Sequence, residues 1–332
     1  MFTISCCWAR GWTRHITYTR YRVFNINTMA GDISSKKDSG AGSNSIRSPV
    51  EMSIDVPWGQ ICGKAWGSSS GKPVLALHGW LDNAGSFDKL IPLLSRDLYI
   101  VAIDWPGHGL SSPRPAGAYY HLINMVADLK YVVDGLGWKR FTFLSHSMGA
   151  AAATQFAASL PEYVEKLVSI EGLVPLPVDN NNIPEAMGKS LKSLPKLQDK
   201  AEKVYPTKEA CVARLMEATT YGKLTEEAAK TLCVRGIAPA DNGYMFTRDP
   251  KLKLAPMPHA SIEVTKAFLK ALQCPVFVVK AQESFFSREN LEMMLKSVAE
   301  ARMVMVDGNH LVHLNNAPLV APIVDKELVG SS

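Results

Sequence analysis

Hydrophobic and polar positions follow two regular patterns in the middle of the chain. Short apolar runs that end in Gly, Asp or Ser predict buried strands, and apolar residues spaced three or four positions apart predict helices. Strands are predicted at 73–79, 98–104, 141–145 and 166–171. Helices are predicted between them, at 122–138 and at 148–160, where Pro161 ends the second. Strands and helices that alternate over short connections indicate a mostly parallel sheet with helices on both faces.

The alternation stops after residue 172 and resumes near residue 263. The intervening segment has few β-branched runs and contains helical stretches broken by Pro and Gly, at 185–203, 207–219 and 224–235. Strand patterns return at 274–281 and 301–308, with a helix between them and a final helix after Pro318. The segment is therefore predicted to be a helical insertion in an α/β domain.

These patterns give a simple domain organisation. An alternating stretch around Pro57–Gly59, at 51–67, predicts a β-hairpin at the start of the folded body. We expect one α/β core formed by residues 50–172 and 263–328. Residues 173–262 are expected to form a helical cap over it.

The first 49 residues differ from this body in composition. Residues 1–31 contain four arginines and no Asp, Glu or Lys. This composition is typical of mitochondrial presequences, and it equally fits an extension that carries no targeting signal. Residues 31–48 are rich in Gly and Ser and predict a flexible linker. We expect residues 1–49 to be a flexible extension of an intracellular, cytoplasmic protein, unless the arginine-bearing segment directs import into mitochondria.

Charge and cysteine usage exclude several classes of function. The four arginines of the extension account for most of the net charge of +5, so the body is close to neutral and gives no indication of nucleic-acid binding. No apolar run approaches the roughly 18 residues that a membrane span needs. The six cysteines are scattered and show no zinc-ligand spacing. We therefore expect a reduced interior, no metal and no cofactor.

Polar residues and glycines follow four of the predicted strands. Functional groups collect beyond the carboxyl ends of strands in such sheets. One strand ends in His78-Gly79-Trp80, a second continues into DWPGHGLSS, and the last ends in DGNHLVHL. The strand at 141–145 runs into LSHSMG, where Ser147 precedes a helix. A serine at such a turn is typical of the nucleophile motif G-x-S-x-G, although Ser145 replaces its first glycine here.

Several motifs in a fixed order carry a family resemblance. The strings VPWGQICGKAWGS, LHGWLDNAGSFDKLIPLL and D-x-x-G-H-G-L-S-S are the closest matches. The chain resembles the α/β-hydrolase superfamily, and within it the serine hydrolase-like (kraken-type) proteins, over about residues 50–325. The resemblance implies an α/β-hydrolase fold in which a Ser-His-acid triad lies beneath a helical cap.

The family pattern assigns roles to individual residues. It implies that Ser147 is the nucleophile and that His310 is the base, with His313 as the competing histidine. It places the two backbone N–H donors of an oxyanion hole on Met148 and Trp80. A helix that begins at Met148 also directs its N-terminal N–H groups toward a developing oxyanion.

The triad acid has two candidate positions. Many relatives carry it after the strand at 276–280, but Ala281 and Ser284 stand here in the usual glycine and aspartate positions, with Glu283 beside them. The other family position follows the strand that ends in Glu171. We expect Glu171 to contact His310, because sequential strands joined by a crossover helix tend to be neighbours. Glu283 remains the alternative acid, and a purely structural Glu171 remains the alternative role.

The predicted function is a cofactor-independent serine hydrolase. Its expected substrate is a small acyl compound with an ester, thioester or related carbonyl bond, which makes it a carboxylic ester hydrolase. A C–C bond hydrolase with the same triad is one alternative. A catalytically impaired binding protein on a hydrolase scaffold is another, since Ser145 and the missing aspartate depart from the family pattern.

Overall fold

The computed structural model covers most of the chain. It describes the backbone of residues 23–25 and residues 48–175, 182–198, 203–218, 222–254 and 261–330. Most of the predicted extension, including its arginine-bearing segment, lies outside the described residues. No helix in the described ranges is long and apolar enough to cross a membrane.

Eleven strands lie within the described residues. They are β1 (Val23–Asn25), β2 (Val50–Val56), β3 (Gly59–Trp66), β4 (Lys72–Leu77), β5 (Leu98–Ile103), β6 (Phe141–His146), β7 (Val164–Ile170), β8 (Ile237–Ala240), β9 (Gly243–Phe246), β10 (Val276–Glu283) and β11 (Ala301–Asn309). Nine of them form one sheet in the order β1-β2-β3-β5-β4-β6-β7-β10-β11. The strands from β5 to β11 in this order run parallel, and β1, β2 and β3 are antiparallel at one edge. The predicted mostly parallel sheet is confirmed.

Helices cover both faces of this sheet. Those in the described part of the chain are α1 (Leu122–Leu136), α2 (Met148–Ser159), α3 (Ile183–Gln198), α4 (Lys208–Met216), α5 (Glu226–Gly236), α6 (Ile262–Ala271), α7 (Arg288–Leu295), α8 (Val312–Asn315) and α9 (Ala317–Val329). Apolar side chains at helical spacing in α1, including Met125, Leu129 and Val132, are buried as the pattern predicts. Gly137 ends α1 in the left-handed conformation.

The core has two parts because the sheet is buried on both sides. Alternate side chains of a strand point to opposite faces. In β4, Leu75 and Leu77 pack into the part that contains α1 and α2, whereas Val74 and Ala76 pack into the part that contains α9. A strand buried on both faces is continuously apolar, which explains the short apolar runs in the sequence.

Three strands lie in segments for which the sequence predicted none. The 173–262 segment, expected to form a helical cap, contains β8 and β9 besides its helices, and these two strands form an antiparallel hairpin. The two-residue turn between them is Asp241-Asn242, and Gly243, the first residue of β9, has a φ of 145°. Glycine adopts a positive φ without the steric cost that a Cβ adds. In addition, β1 pairs with β2 inside the stretch expected to be a flexible extension.

A buried ion-pair network joins α5 to the sheet. Arg235 lies near the end of α5 and is 5% exposed; its guanidinium lies 2.7 Å from a carboxylate oxygen of Asp104 and 2.6 Å from one of Glu51. Asp104 also accepts hydrogen bonds from the N–H groups of Ala84 and Leu110. Burial raises the pKa of Asp104, and Arg235 opposes that rise. Asp104 therefore depends on Arg235 to balance its buried charge.

Replacement of Arg235 tests this dependence. We expect Arg235→Ala to lower the free energy of unfolding by about 3–5 kcal/mol, because it leaves the charge of Asp104 buried and unpaired. The matched control is Arg288→Ala, since Arg288 is exposed and pairs with Glu292 one helical turn away. That change is expected to cost less than about 1 kcal/mol. Denaturant unfolding followed by circular dichroism measures both, and equal losses would contradict the role given to Arg235.

Candidate active site

The sheet brings three polar side chains from distant parts of the sequence to one edge. Ser147 follows β6, Glu171 follows β7, and His310 follows β11. Strands β6 and β7 are direct neighbours, and β10 lies between β7 and β11. All four strands are parallel, so their carboxyl ends meet at the same edge.

The backbone at Ser147 makes a sharp turn from β6 into α2. Ser147 has a φ of 51° and a ψ of −117°, a conformation that a non-glycine residue adopts only where its surroundings hold it. Small neighbours leave room for this turn. A Cβ on Gly149 would overlap the carbonyl oxygen of Leu77, and one on Gly172 would lie 2.8 Å from the carbonyl oxygen of Ser147. The hydroxyl of Ser147 therefore stands at a strained strand-to-helix turn.

The side chains of Ser147, His310 and Glu171 form a continuous hydrogen-bonded chain. Nε2 of His310 lies 2.9 Å from Oγ of Ser147. Nδ1 of the same ring lies 2.9 Å from Oε2 of Glu171. Glu171 is fully buried and His310 is 2% exposed, so bulk water does not compete for the bond between these two side chains. A proton on Nδ1 leaves the lone pair of Nε2 directed at the serine hydroxyl.

The carboxylate of Glu171 has further partners on β10. The N–H of Ala281 donates to its Oε1, and Nζ of Lys280 lies 3.4 Å from the same oxygen. Burial acts to raise the pKa of Glu171, but hydrogen bonds from His310, Ser284 and Ala281 outweigh burial and hold that pKa below its ordinary value. Glu171 is therefore ionised and fixed in orientation.

Lys280 is a site residue that the sequence reasoning missed. Its side chain is 2% exposed, and its ammonium group donates a hydrogen bond to the carbonyl oxygen of Ala281. A single lysine inside the otherwise apolar run of β10 was the available signal, because a buried lysine is rare unless it is paired.

Met148 and Trp80, the two residues expected to supply backbone N–H donors, line the same cavity as Ser147. Met148 begins α2, so its N–H has no acceptor inside the helix. Trp80 lies on the loop after β4, where the next N–H, that of Leu81, donates to Nε2 of His108. His108 thereby holds, through Leu81, the loop that carries Trp80.

Two buried histidines act on the backbone of this loop. His78 accepts a hydrogen bond at Nε2 from the N–H of Trp105, and its Nδ1 lies 2.7 Å from the carbonyl oxygen of Gly79. Burial lowers the pKa of His78 well below its ordinary value and that of His108 to about 4, so both rings are neutral. Through these contacts both rings have a structural role at the loops that follow β4 and β5.

The competing candidates lie elsewhere. Glu283 is an exposed residue at the end of β10, whereas both ring nitrogens of His310 face Ser147 and Glu171. His313 is fully buried, and its ring stacks against that of His146 at 4.1 Å between centroids. The structure thus brings Ser147, His310 and Glu171 together, and it places Met148 and Trp80 beside them.

A family model for the alpha/beta hydrolase fold matches residues 72–317. The chain belongs to the α/β-hydrolase fold family. This match and the sheet order confirm the resemblance seen in the sequence.

Proteins similar to this α/β-hydrolase family member cover most of its length. A serine hydrolase-like protein of Danio rerio is 37% identical over 289 residues, which are 84% of this chain and 88% of that protein. Serine hydrolase-like protein 2 of Homo sapiens is 35% identical over 296 residues, which are 84% and 93% of the two chains. The crystal structure of a hypothetical protein from Pseudomonas aeruginosa PAO1 has a TM-score of 0.75 and 35% identity, and covers 83% of this chain and 96% of that chain.

A cavity of about 1000 Å³ opens at Ser147 and His310. Trp80 and Met148 line it on the side of the sheet, and Leu215 and Leu232 line it from the 173–262 segment. Most of its lining is apolar. The volume lies at the upper end of the usual range for small-molecule sites, about 300–1000 Å³.

Two matched glycine substitutions test the packing of the turn at Ser147. Gly149→Ala is expected to destabilise the protein by about 1–3 kcal/mol, because the new methyl group overlaps the backbone of β4. Gly188→Ala is the control, since no described atom beyond its chain neighbours and its own helix backbone lies within 4 Å of a Cβ there, and alanine favours the helical state of α3. Thermal unfolding of the two variants should therefore shift in opposite directions. A shift of the same sign for both would contradict the close approach at Gly149.

Proposed function

We propose that this protein is a serine hydrolase that cleaves an ester, thioester or related carbonyl bond. The observation that carries the proposal is the hydrogen-bonded chain from Ser147 Oγ through His310 to Glu171, with 2.9 Å at each step. A serine hydroxyl is a weak nucleophile until a neighbouring base takes its proton, and this arrangement supplies that base.

In the first half of the reaction, Nε2 of His310 accepts the proton of Ser147 as Oγ attacks the substrate carbonyl carbon. The carbonyl oxygen becomes an oxyanion, which the N–H groups of Met148 and Trp80 stabilise. His310 then gives the proton to the leaving group as the tetrahedral intermediate collapses to an acyl-enzyme. In the second half, water attacks the acyl group with His310 as base, and the serine is restored.

Glu171 acts through His310. Its carboxylate keeps the proton on Nδ1 and stabilises the imidazolium that forms when the serine proton moves. Lys280 and the N–H of Ala281 hold the other carboxylate oxygen, so the oxygen that faces His310 cannot rotate away. Lys280 is therefore a positioning residue for the triad acid.

The apolar cavity favours a substrate with an apolar acyl or alcohol group. Leu215 and Leu232 contribute to its wall, which supports the role of residues 173–262 as a cap that shapes the pocket. A small acetyl group would leave most of a cavity of about 1000 Å³ unfilled. Longer apolar acyl groups bury more surface and gain about 0.8 kcal/mol for each CH₂ group.

The position of Ser145 favours an active enzyme over an impaired scaffold. Its side chain is fully buried between β6 and β7, where Oγ lies 3.2 Å from Oγ of Ser169. The hydroxymethyl group of Ser145, which replaces the hydrogen of the usual glycine, is therefore accommodated between the two strands. It does not occupy the space that the turn at Ser147 requires.

Replacement of the serine tests the proposed nucleophile. Ser147→Ala should abolish covalent labelling by a fluorophosphonate reagent and lower kcat by roughly 10⁴-fold or more, because it removes the hydroxyl that contacts Nε2 of His310. Ser145→Ala is the matched control and should keep the labelling. Activity should be measured on a panel of acyl esters and thioesters of increasing chain length, with a C–C bond substrate included. Full turnover by Ser147→Ala would refute the assignment.

A pair of glutamine substitutions tests the proposed acid. Glu171→Gln should lower kcat more than about 10²-fold, since the amide no longer stabilises the imidazolium and can present its NH₂ group to the ring. Glu283→Gln carries the same chemical change at the exposed alternative position and should leave kcat within about twofold. The reverse result, a large loss only in Glu283→Gln, would show that Glu283 is the acid.

A further inference from the structure

A second cluster of polar side chains lies beside the catalytic histidine. It consists of Asp82, His146 and His313, and one donor atom from each lies within 4.8 Å of the other two. The three residues are far apart in the sequence, so no motif spacing indicated the cluster. None of them is part of the proposed proton-transfer chain.

Three ring nitrogens of this cluster are buried without a hydrogen-bond partner among the described residues. They are Nδ1 of His146 and both nitrogens of His313. His146 is 1% exposed and His313 is fully buried. Buried polar atoms in native proteins nearly always have a partner, and an ion is one of the partners that explains an exception. The unpaired nitrogens therefore point to a ligand between these side chains.

The orientation of His146 is that of a metal ligand. Its Nε2 lies 2.9 Å from the carbonyl oxygen of His310 and donates to it, so the lone pair is on Nδ1. Metal-binding histidines nearly always donate their second N–H to a carbonyl or carboxylate in this way. Nδ1 lies 3.7 Å from Oδ2 of Asp82. Two bonds of about 2.0–2.2 Å to one ion hold their donor atoms roughly 3.3–3.7 Å apart.

The surroundings leave space at this lone pair. Gly79 lies beside it, and a Cβ on Gly79 would be 2.7 Å from Nδ1 of His146. Asp82 and His146 also line the cavity, which gives an ion a route from solvent and a position for a water ligand. His313, the third member of the cluster, is fully buried.

We propose that Asp82, His146 and His313 bind one divalent transition-metal ion of the zinc type. Two imidazoles and one carboxylate are a donor set that suits Zn²⁺ and Co²⁺, and small side-chain rotations bring all three donors to one ion. Asp82 lies two residues after Trp80, His146 directly precedes Ser147, and His313 follows His310 by three residues. The bound ion thus cross-links the three segments that carry the proposed catalytic groups and stabilises their arrangement.

Metal titration of the full-length chain tests the proposal. The chelator-treated, tag-free protein is titrated with Zn²⁺ by calorimetry and with Co²⁺ by visible absorption, and bound zinc is counted by mass spectrometry. We expect Zn²⁺ to raise the midpoint of thermal unfolding and to occupy one site that His313→Asn and Asp82→Asn each weaken at least about 10-fold. His121→Asn is the control, because His121 lines the same cavity outside the cluster and its loss should leave binding unchanged.

The outcomes separate this site from the proposed hydrolase activity. Ser147→Ala should bind Zn²⁺ as the parent does, whether or not Ser147 is the nucleophile. If His313→Asn does not fold, Asp82→Asn decides the result, because its side chain is at the cavity surface. Equal zinc content in the parent and in Asp82→Asn would overturn the proposal, as would a parent that binds no Zn²⁺; the cluster would then hold water only.

Discussion

The strained turn at Ser147 is the constraint on which the site depends. Its positive φ directs the serine hydroxyl out of the plane of the sheet, and the neighbouring backbone has to approach closely to hold it there. Gly149 packs on the carbonyl groups at the end of β4, and Gly172 packs on Ser147 itself. The same turn ends at Met148, where α2 begins. One local geometry therefore positions both the hydroxyl of Ser147 and the N–H of Met148, the proposed oxyanion donor.

The parallel sheet supplies the rest of the constellation. Residues 147, 171 and 310 meet because β6, β7, β10 and β11 are adjacent and end at the same edge. Strand β10 separates the strands of the glutamate and the histidine, and it contributes Lys280 and the N–H of Ala281 to the carboxylate. A glutamate reaches across this strand because it is one methylene longer than an aspartate. In many relatives the acid follows the strand that corresponds to β10. Here β10 instead supplies the groups that hold the carboxylate of Glu171.

Buried polar side chains organise the loops around the sheet. Asp104 links the loop after β4 to Arg235 of α5, His108 accepts a hydrogen bond from Leu81 of the same loop, and His78 accepts one from Trp105 after β5. Each of these groups would be costly to bury alone, and each is compensated by a partner from another segment. The loops of the site are therefore fixed by pairing between segments. The cluster at Asp82, His146 and His313 differs, because three of its four ring nitrogens have no hydrogen-bond partner within the described part of the chain.

The sequence by itself determined the fold class and indicated Ser147 and His310 as members of the proposed triad. Apolar runs of strand length, helical spacing in α1 and the turn-like LSHSMG depend on neighbouring residues, so they can be read along the chain. The tertiary structure decided which carboxylate faces His310, because Glu171 and Glu283 differ only in where their strands place them. It also decided the burial of Lys280, the pairing of Arg235 with Asp104 and the meeting of Asp82 with two histidines. These contacts join residues far apart in the chain, and no local pattern specifies such distances.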